Sequence, residues 1–185
     1  MTLDRYTTAA NHFASIGVPS IDNDRVIDLN FSDVPLVEGW DAPIAFGYEE
    51  DRRQPFGDFV SLSNYYHVPV VTQHTWDLLK PLIGYCCEAL PVIHPSRRPH
   101  FLIHVMETID ALDAERSDIN RSKIDGRITR IYKYAFKPGL LEGKHIFKLP
   151  LESGADLLVD DEFRKVVEEN GLKGLLFQPL PMADD

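Results

Sequence analysis

Two dozen residues near the C-terminus, Leu157 to Leu180, constrain the fold more tightly than any other stretch of the chain. They read LLVDDEFRKVVEENGLKGLLFQPL and spell a helix start, a helix stop and a strand. Asp160 is a short acidic residue ahead of a helical pattern, able to accept from the first-turn N–H groups. Asp161 and Glu162 add negative charge at the positive end of the helix dipole. Phe163, Val166 and Val167 share one face at i, i+3 and i+4. Asn170-Gly171 supplies the stop, because glycine takes the left-handed conformation that closes a helix. GLLFQP then reads as a buried strand ended by Pro179, which has no N–H to donate. The spacing predicts a helix over 161–169 and a strand over 175–177. The unit is scaffold and carries no catalytic pattern.

The remaining elements follow the same logic. VPVVT predicts a strand over 68–72, and a helix opens at Thr72 or Gln73 with Trp76, Leu79 and Ile83 on one face. Pro81 is expected to distort or end that helix, with Gly84 completing the stop. HFLIHVM predicts a strand over 101–106, and the alternation in GRITRIYKYAF predicts one over 127–136. KHIFKLP reads as another strand. PIAFGYEE suggests a strand over 44–48, and YTTAANHFASIG a short helix closed at Gly17. Glu107 to Arg127 reads as a long polar loop, and such loops inside compact chains are often functional. Strands and helices mix without a βαβ rhythm. The expected class is therefore α+β: a mixed, largely antiparallel sheet with a few packed helices.

Length and charge narrow the function. A chain of 185 residues is expected to form a single domain over 1–185, with an acidic N-terminal region over about 1–60. With 29 acidic against 19 basic residues the formal charge is −10, which argues against binding nucleic acid. No run of 18 apolar residues suggests a membrane span, and MTLDRYTTAANHF lacks the pattern of a signal peptide.

Cys86, Cys87, His94, His100 and His104 invite a test for metal or nucleophile chemistry. On a strand, His100 and His104 lie about 13 Å apart, too far to share an ion. Adjacent cysteines fit disulfide geometry badly and point apart. LIGYCCEAL is an apolar setting, and no thiolate-activating signal accompanies it. The expectation is no catalytic residue, no metal and no cofactor. A hydrolase pairing Cys86 or Cys87 with a histidine is the enzymatic alternative, and an interaction module unrelated to toxins is another.

Binding is left as the activity. Acidic and aromatic residues interleave in the first third, and Trp40, Asp41, Tyr48, Glu49, Glu50 and Asp51 are the candidate partner contacts. Aromatic anchors ringed by charge are typical of protein interfaces. Arg116 to Lys148 is mainly basic by contrast.

The order of pieces also resembles a known family. Glu88, Leu90, Pro91 and Val92 form an E-x-L-P-V element; Ala111, Leu112 and Asp113 form A-L-D, with Ser117 beyond. Glu162-Phe163 opens the closing helix, and Gly171, Leu172, Gly174, Leu175, Phe177 and Pro179 give G-L-x-G-L-x-F-x-P. Over about 68–180 this pattern resembles the Imm11 family of bacterial immunity proteins. The resemblance implies a cytoplasmic antitoxin that binds the cognate toxin of a polymorphic toxin system and neutralises it by occlusion, with no enzymatic step. It transfers no catalytic residue.

Overall fold

The computed structural model describes residues 2–8, 12–19, 26, 29, 32–65, 68–151 and 157–183. Among them are twelve strands and two helices, an α+β arrangement with mostly antiparallel pairing.

Six strands form the larger sheet: β2 (Ser15–Gly17), β3 (Phe46–Gly47), β4 (Phe59–Leu62), β5 (Val70–Thr72), β6 (Cys87–Val92) and β7 (His100–Val105), in the order β3-β2-β4-β5-β7-β6. Only β2 and β4 run parallel. The two edges then meet. Ile93, one residue beyond β6, bridges Ile44, just ahead of β3: Ala45 N–H donates to Ile93 O at 2.9 Å, and Ile93 N–H to Pro43 O at 3.0 Å. The sheet closes on itself, which pairs edge groups that would otherwise be open. Its interior holds Ile16, Val60, Leu62, Val70, Leu90, Val92 and Leu102, with Val26 and Leu29.

The second sheet has four antiparallel strands, β10 (Ile146–Lys148), β11 (Leu157–Asp160), β1 (Leu3–Thr8) and β12 (Leu175–Pro179), in that order. Period-two alternation divides its residues. Tyr6, Ile146, Leu157 and Val159 face a central core shared with the outer face of the larger sheet, through Phe59, Val71, Ile103 and Val105. Leu3, Phe147 and Leu158 face a third core with Ala111, Leu112, Tyr134 and Leu141. Helices α1 (Gln73–Ile83) and α2 (Asp161–Glu169) pack into the central core with Trp76, Leu79, Ile83, Phe163 and Val167. A separate two-stranded ribbon joins β8 (Asp118–Arg121) to β9 (Ile128–Lys133).

Local signals explain the helix ends. Asp160 accepts from Phe163 N–H at 2.9 Å, and Gly171 sits at φ +63° where the chain turns. Leu172 is buried against the last turn. Gly174 has a different reason to lack a side chain: a Cβ there would stand 2.1 Å from Phe59 O. The two-glycine turn thus brings the four-stranded sheet against β4, and Phe59 N–H donates to Lys173 O at 2.9 Å.

Several sequence expectations are corrected. The stretch expected as a short helix closed at Gly17 instead contains the end of β1, where Tyr6, Thr7 and Thr8 pair with β12, and all of β2, while 9–11 lie outside the described residues. Pro81 lies within α1, and the helix runs on to Ile83 because Leu79 and Ile83 are both buried in the core. The polar stretch 107–127 contains strand β8, which β9 pairs across the ribbon. The strand expected over 44–48 is a two-residue strand with an isolated bridge at Ile44. Strands β4, β6 and β11 form where the sequence reading predicts no strand.

Candidate functional site: the closing seam of the larger sheet

The place where the larger sheet closes also exposes apolar side chains on its outer surface. Alternation sends Val92 and Ala45 inward and leaves Ile93 and Ile44 pointing out, 51% and 64% exposed. Phe46 follows Ile44 on the same side and meets Tyr48 edge-to-face at 5.4 Å. Val37 and Trp40 flank the seam. Trp40 is half-buried against the interior core, and its indole N–H donates to Pro91 O at 2.9 Å. Singly exposed apolar residues need no explanation, but a run of neighbouring ones rimmed by charge does.

A buried clasp holds the segment that carries Val37 and Trp40. Glu88 on β6 accepts from Leu36 N–H at 2.5 Å and from Val37 N–H at 3.3 Å. The same carboxylate meets His104 Nδ1 at 2.9 Å, and His104 Nε2 lies 2.9 Å from Ser32 O. Ser32 O also accepts from Lys148 Nζ at 3.1 Å. His104 is fully buried, so these partners are all it has to replace water. Lys148 reaches Asp33 at 3.2 Å as well, and Thr108 hydroxyl donates to Asp33 at 2.7 Å. Residues 32–37 are thereby fastened to β6, β7 and β10.

The rim is acidic. Glu38, Asp41, Glu49 and Glu50 are exposed. Glu49 pairs with Arg52 at 3.1 Å. Asp51 serves the fold: it accepts from Ser15 N–H at 2.9 Å and from Ser15 hydroxyl at 2.6 Å, and these bonds hold its carboxyl below the usual range. A cleft of about 490 Å³ opens beside the seam, lined by Tyr48, Glu49, Asp51, Arg52, Gln54 and Phe56 among others.

Of the six residues expected to make contact, Tyr48, Glu49 and Asp51 thus come together at this cleft. Trp40 and Asp41 lie on the other flank of the seam, and Glu50 stands on the exposed turn. Sequence reasoning missed Val37, Ile44, Phe46 and Ile93. The alternation of Ile44, Ala45 and Phe46 was a usable signal for two of them. Only the long-range closure brings Ile93 alongside.

The cysteine and histidine cluster is dispersed. Cys86 and Cys87 are unbridged and buried, with sulfurs 3.8 Å apart. The hydrogen bond to the Cys86 sulfur, together with burial, pushes the Cys87 thiol well up. Cys87 faces the central core, whereas Glu88 and His104 face the opposite side of the same strand pair. His94 lies beyond the far end of β6, stacked on His100 at 3.7 Å with Phe56 edge-on at 4.4 Å. Among the described residues, no group of three or more His, Cys, Asp or Glu side chains converges as metal ligands do. No described helix is long and apolar enough to cross a membrane.

Residues 94–181 match the model of the Imm11 immunity protein family. No curated protein matches the chain. The Imm11 match takes in β7 to β12, α2 and the ribbon, and it begins later than the resemblance over about 68–180 suggested, leaving Glu88 to Val92 outside. The seam residues from Val37 to Ile93 also precede it. The Imm11 segment therefore supplies most of the four-stranded sheet and one strand of the closed sheet, while the seam is built from the other half of the chain.

Proposed function

We propose that this chain is an immunity protein that binds a cognate toxin domain and neutralises it by occlusion, using the seam as a contact surface. The match to an immunity protein family over 94–181 carries the reading. The seam supports it: Ile44, Phe46 and Ile93 form an apolar centre, Val37 is exposed on the clasped segment at its flank, Trp40 and Tyr48 are aromatic anchors, and Glu38, Asp41, Glu49 and Glu50 make a charged rim. Interfaces combine a desolvated apolar centre with a polar rim in this way. The partner that fits carries apolar residues ringed by Lys and Arg. Neutralisation then proceeds without a chemical step, in the cytoplasm of the producing cell, by covering the toxin's working surface.

The experiment is co-expression. The immunity reading implies a cognate toxin encoded beside this gene, and that toxin domain is induced in a host with and without the chain. Growth is expected only when the chain is present. A host that dies equally in both cases contradicts the proposal.

A further inference from the structure

The seam leaves the most exposed part of the chain unexplained. Across Asp118 to Lys133, the whole span of the ribbon, no residue is buried. Ordering a residue costs about 1–2 kcal/mol of backbone entropy, and a two-stranded hairpin is marginal alone in water. The ribbon is anchored at its root, where Ala135 N–H donates to Ser117 Oγ at 2.9 Å and Tyr134 is buried. Ile128 and Ile131 of β9 are half-buried against the third core, while β8 and the turn between the strands have little holding them but the ladder. At the tip, Ile124 is 97% exposed.

Its chemistry is opposite to that of the chain as a whole. Arg121, Lys123, Arg127, Arg130 and Lys133 face only two acids, Asp118 and Asp125, on a protein of net charge −10. Asp125 is paired with Arg127. Arg130 lies over the Tyr132 ring at 5.0 Å, which presents a flat, cationic surface.

A pocket sits at the ribbon's root. Leu3, Tyr134, Phe136 and Met182 give it apolar walls around about 340 Å³; Arg116 and Lys137 also line it, Lys137 paired with Asp110 at 2.8 Å, and Glu142 is the one acid in the lining. The edge of β9 that faces away from β8 leads to this pocket. At its root that edge is taken by the chain itself, with Tyr134 N–H donating to Pro181 O and Ala183 N–H to Tyr134 O, both at 2.8 Å. Beyond that point, among the described residues, β9 pairs only with β8. An open strand edge is a template for an added strand.

We infer that the ribbon and the pocket at its root form a second docking surface, which takes an extended acidic segment of the toxin along β9 and seats one apolar side chain in the pocket. The inference rests on the immunity reading and adds the chemistry of a second contact. Carboxylates along the segment meet Lys123 and Arg130, and alternate residues turn toward the pocket as strand geometry requires. Two surfaces of opposite charge on one inhibitor also fix the partner's orientation, since a reversed pose sets like charges together.

The test measures binding of the purified toxin domain encoded beside this gene to the intact chain and to three variants. Lys123→Glu with Arg130→Glu reverses the ribbon, Met182→Glu puts a charge in the pocket wall, and Met182→Leu is the conservative control. The first two are expected to weaken binding by about tenfold or more, with Met182→Leu near wild type and all melting temperatures unchanged. In the complex, amides of 128–133 are expected to exchange more slowly. Unchanged affinity in both charged variants overturns the docking surface and leaves immunity standing. No binding by wild type removes both. Salt-sensitive binding to a short DNA duplex, lost on reversal of the ribbon, assigns the ribbon to nucleic acid and overturns the inference. A dimer of the chain alone that the reversal dissociates assigns it to a second copy, with the same consequence.

Discussion

Glu88 should be among the most costly polar side chains to remove, and the structure says how costly. Its carboxylate accepts from Leu36 N–H, Val37 N–H and His104 Nδ1. Glu88→Ala strands all three. Val37 is exposed, so water replaces that bond at little cost. Leu36 is half-buried, and its stranded N–H costs about 1 kcal/mol. His104 is fully buried, and leaving its ring nitrogen unsatisfied costs about 1–3 kcal/mol. The sum is about 3 kcal/mol. Glu88→Gln retains one acceptor oxygen and should cost about half as much. Urea denaturation gives both values from the midpoint shift at constant slope. Hydrogen exchange should show faster exchange at Leu36 and Val37 in the alanine variant, because the clasp no longer holds segment 32–37. Because that segment leads directly to Trp40, the same variant should also bind toxin more weakly than its loss of stability alone accounts for. A midpoint change worth less than about 0.5 kcal/mol, with exchange unaltered, would refute the reasoning.

Three further outcomes follow from the fold. Gly171→Ala should cost about 1 kcal/mol from left-handed strain, and Gly174→Ala clearly more, since its Cβ would meet Phe59 O; equal denaturation midpoints would contradict that order. Asp160→Ala should cost about 1–2 kcal/mol, because it removes the cap on Phe163 N–H and the partner of His145, and a melt indistinguishable from wild type would contradict it. Burial, with His100 adjacent, pushes His94 down to about 4 from 6.5, so the unfolded chain binds the proton more readily between those values. Stability from this group is complete above pH 6.5 and falls as pH drops toward 4, by about 1–2 kcal/mol once solvent screening is allowed for. Burial lowers His100 in the same direction. His94→Phe should flatten that part of the stability profile, and an unchanged slope would show that other groups cause it.

How far the sequence could be read depended on whether its signals were local. Helix α2 was legible to the residue because Asp160 and Gly171 mark its ends chemically. Strands β7 and β9 were legible from β-branched and aromatic alternation. Strand β11 escaped notice because Leu157 to Val159 lead directly into a helix cap, and four residues are too few to show a period. Strand β1 was misread because Tyr6, Thr7 and Thr8 gain their strand conformation from β12, which lies more than 140 residues away. The candidate site was legible in part for the same reason. Its acids and aromatics stand out in the sequence, but the contact between Ile44 and Ile93 is made by sheet closure, which no local pattern encodes. Asp51 looked like one more surface acid until its bonds to Ser15 came into view.

The most direct test of the seam as a toxin-binding surface is association and dissociation kinetics with the toxin domain encoded beside this gene. Three proteins are compared at low and high salt: wild type, Ile44→Arg with Ile93→Arg, and Glu49→Gln with Glu50→Gln, which spares Asp51 and its bonds to Ser15. Wild type should bind, with an association rate that falls as salt rises. The arginine pair should lose binding by about a hundredfold or more while melting normally, because it places charge at the apolar centre. The glutamine pair should slow association and reduce its salt dependence, with dissociation nearly unchanged. Wild-type kinetics in the arginine pair would contradict the seam as the toxin-binding surface, and failure of wild type to bind the toxin at any salt would contradict immunity itself.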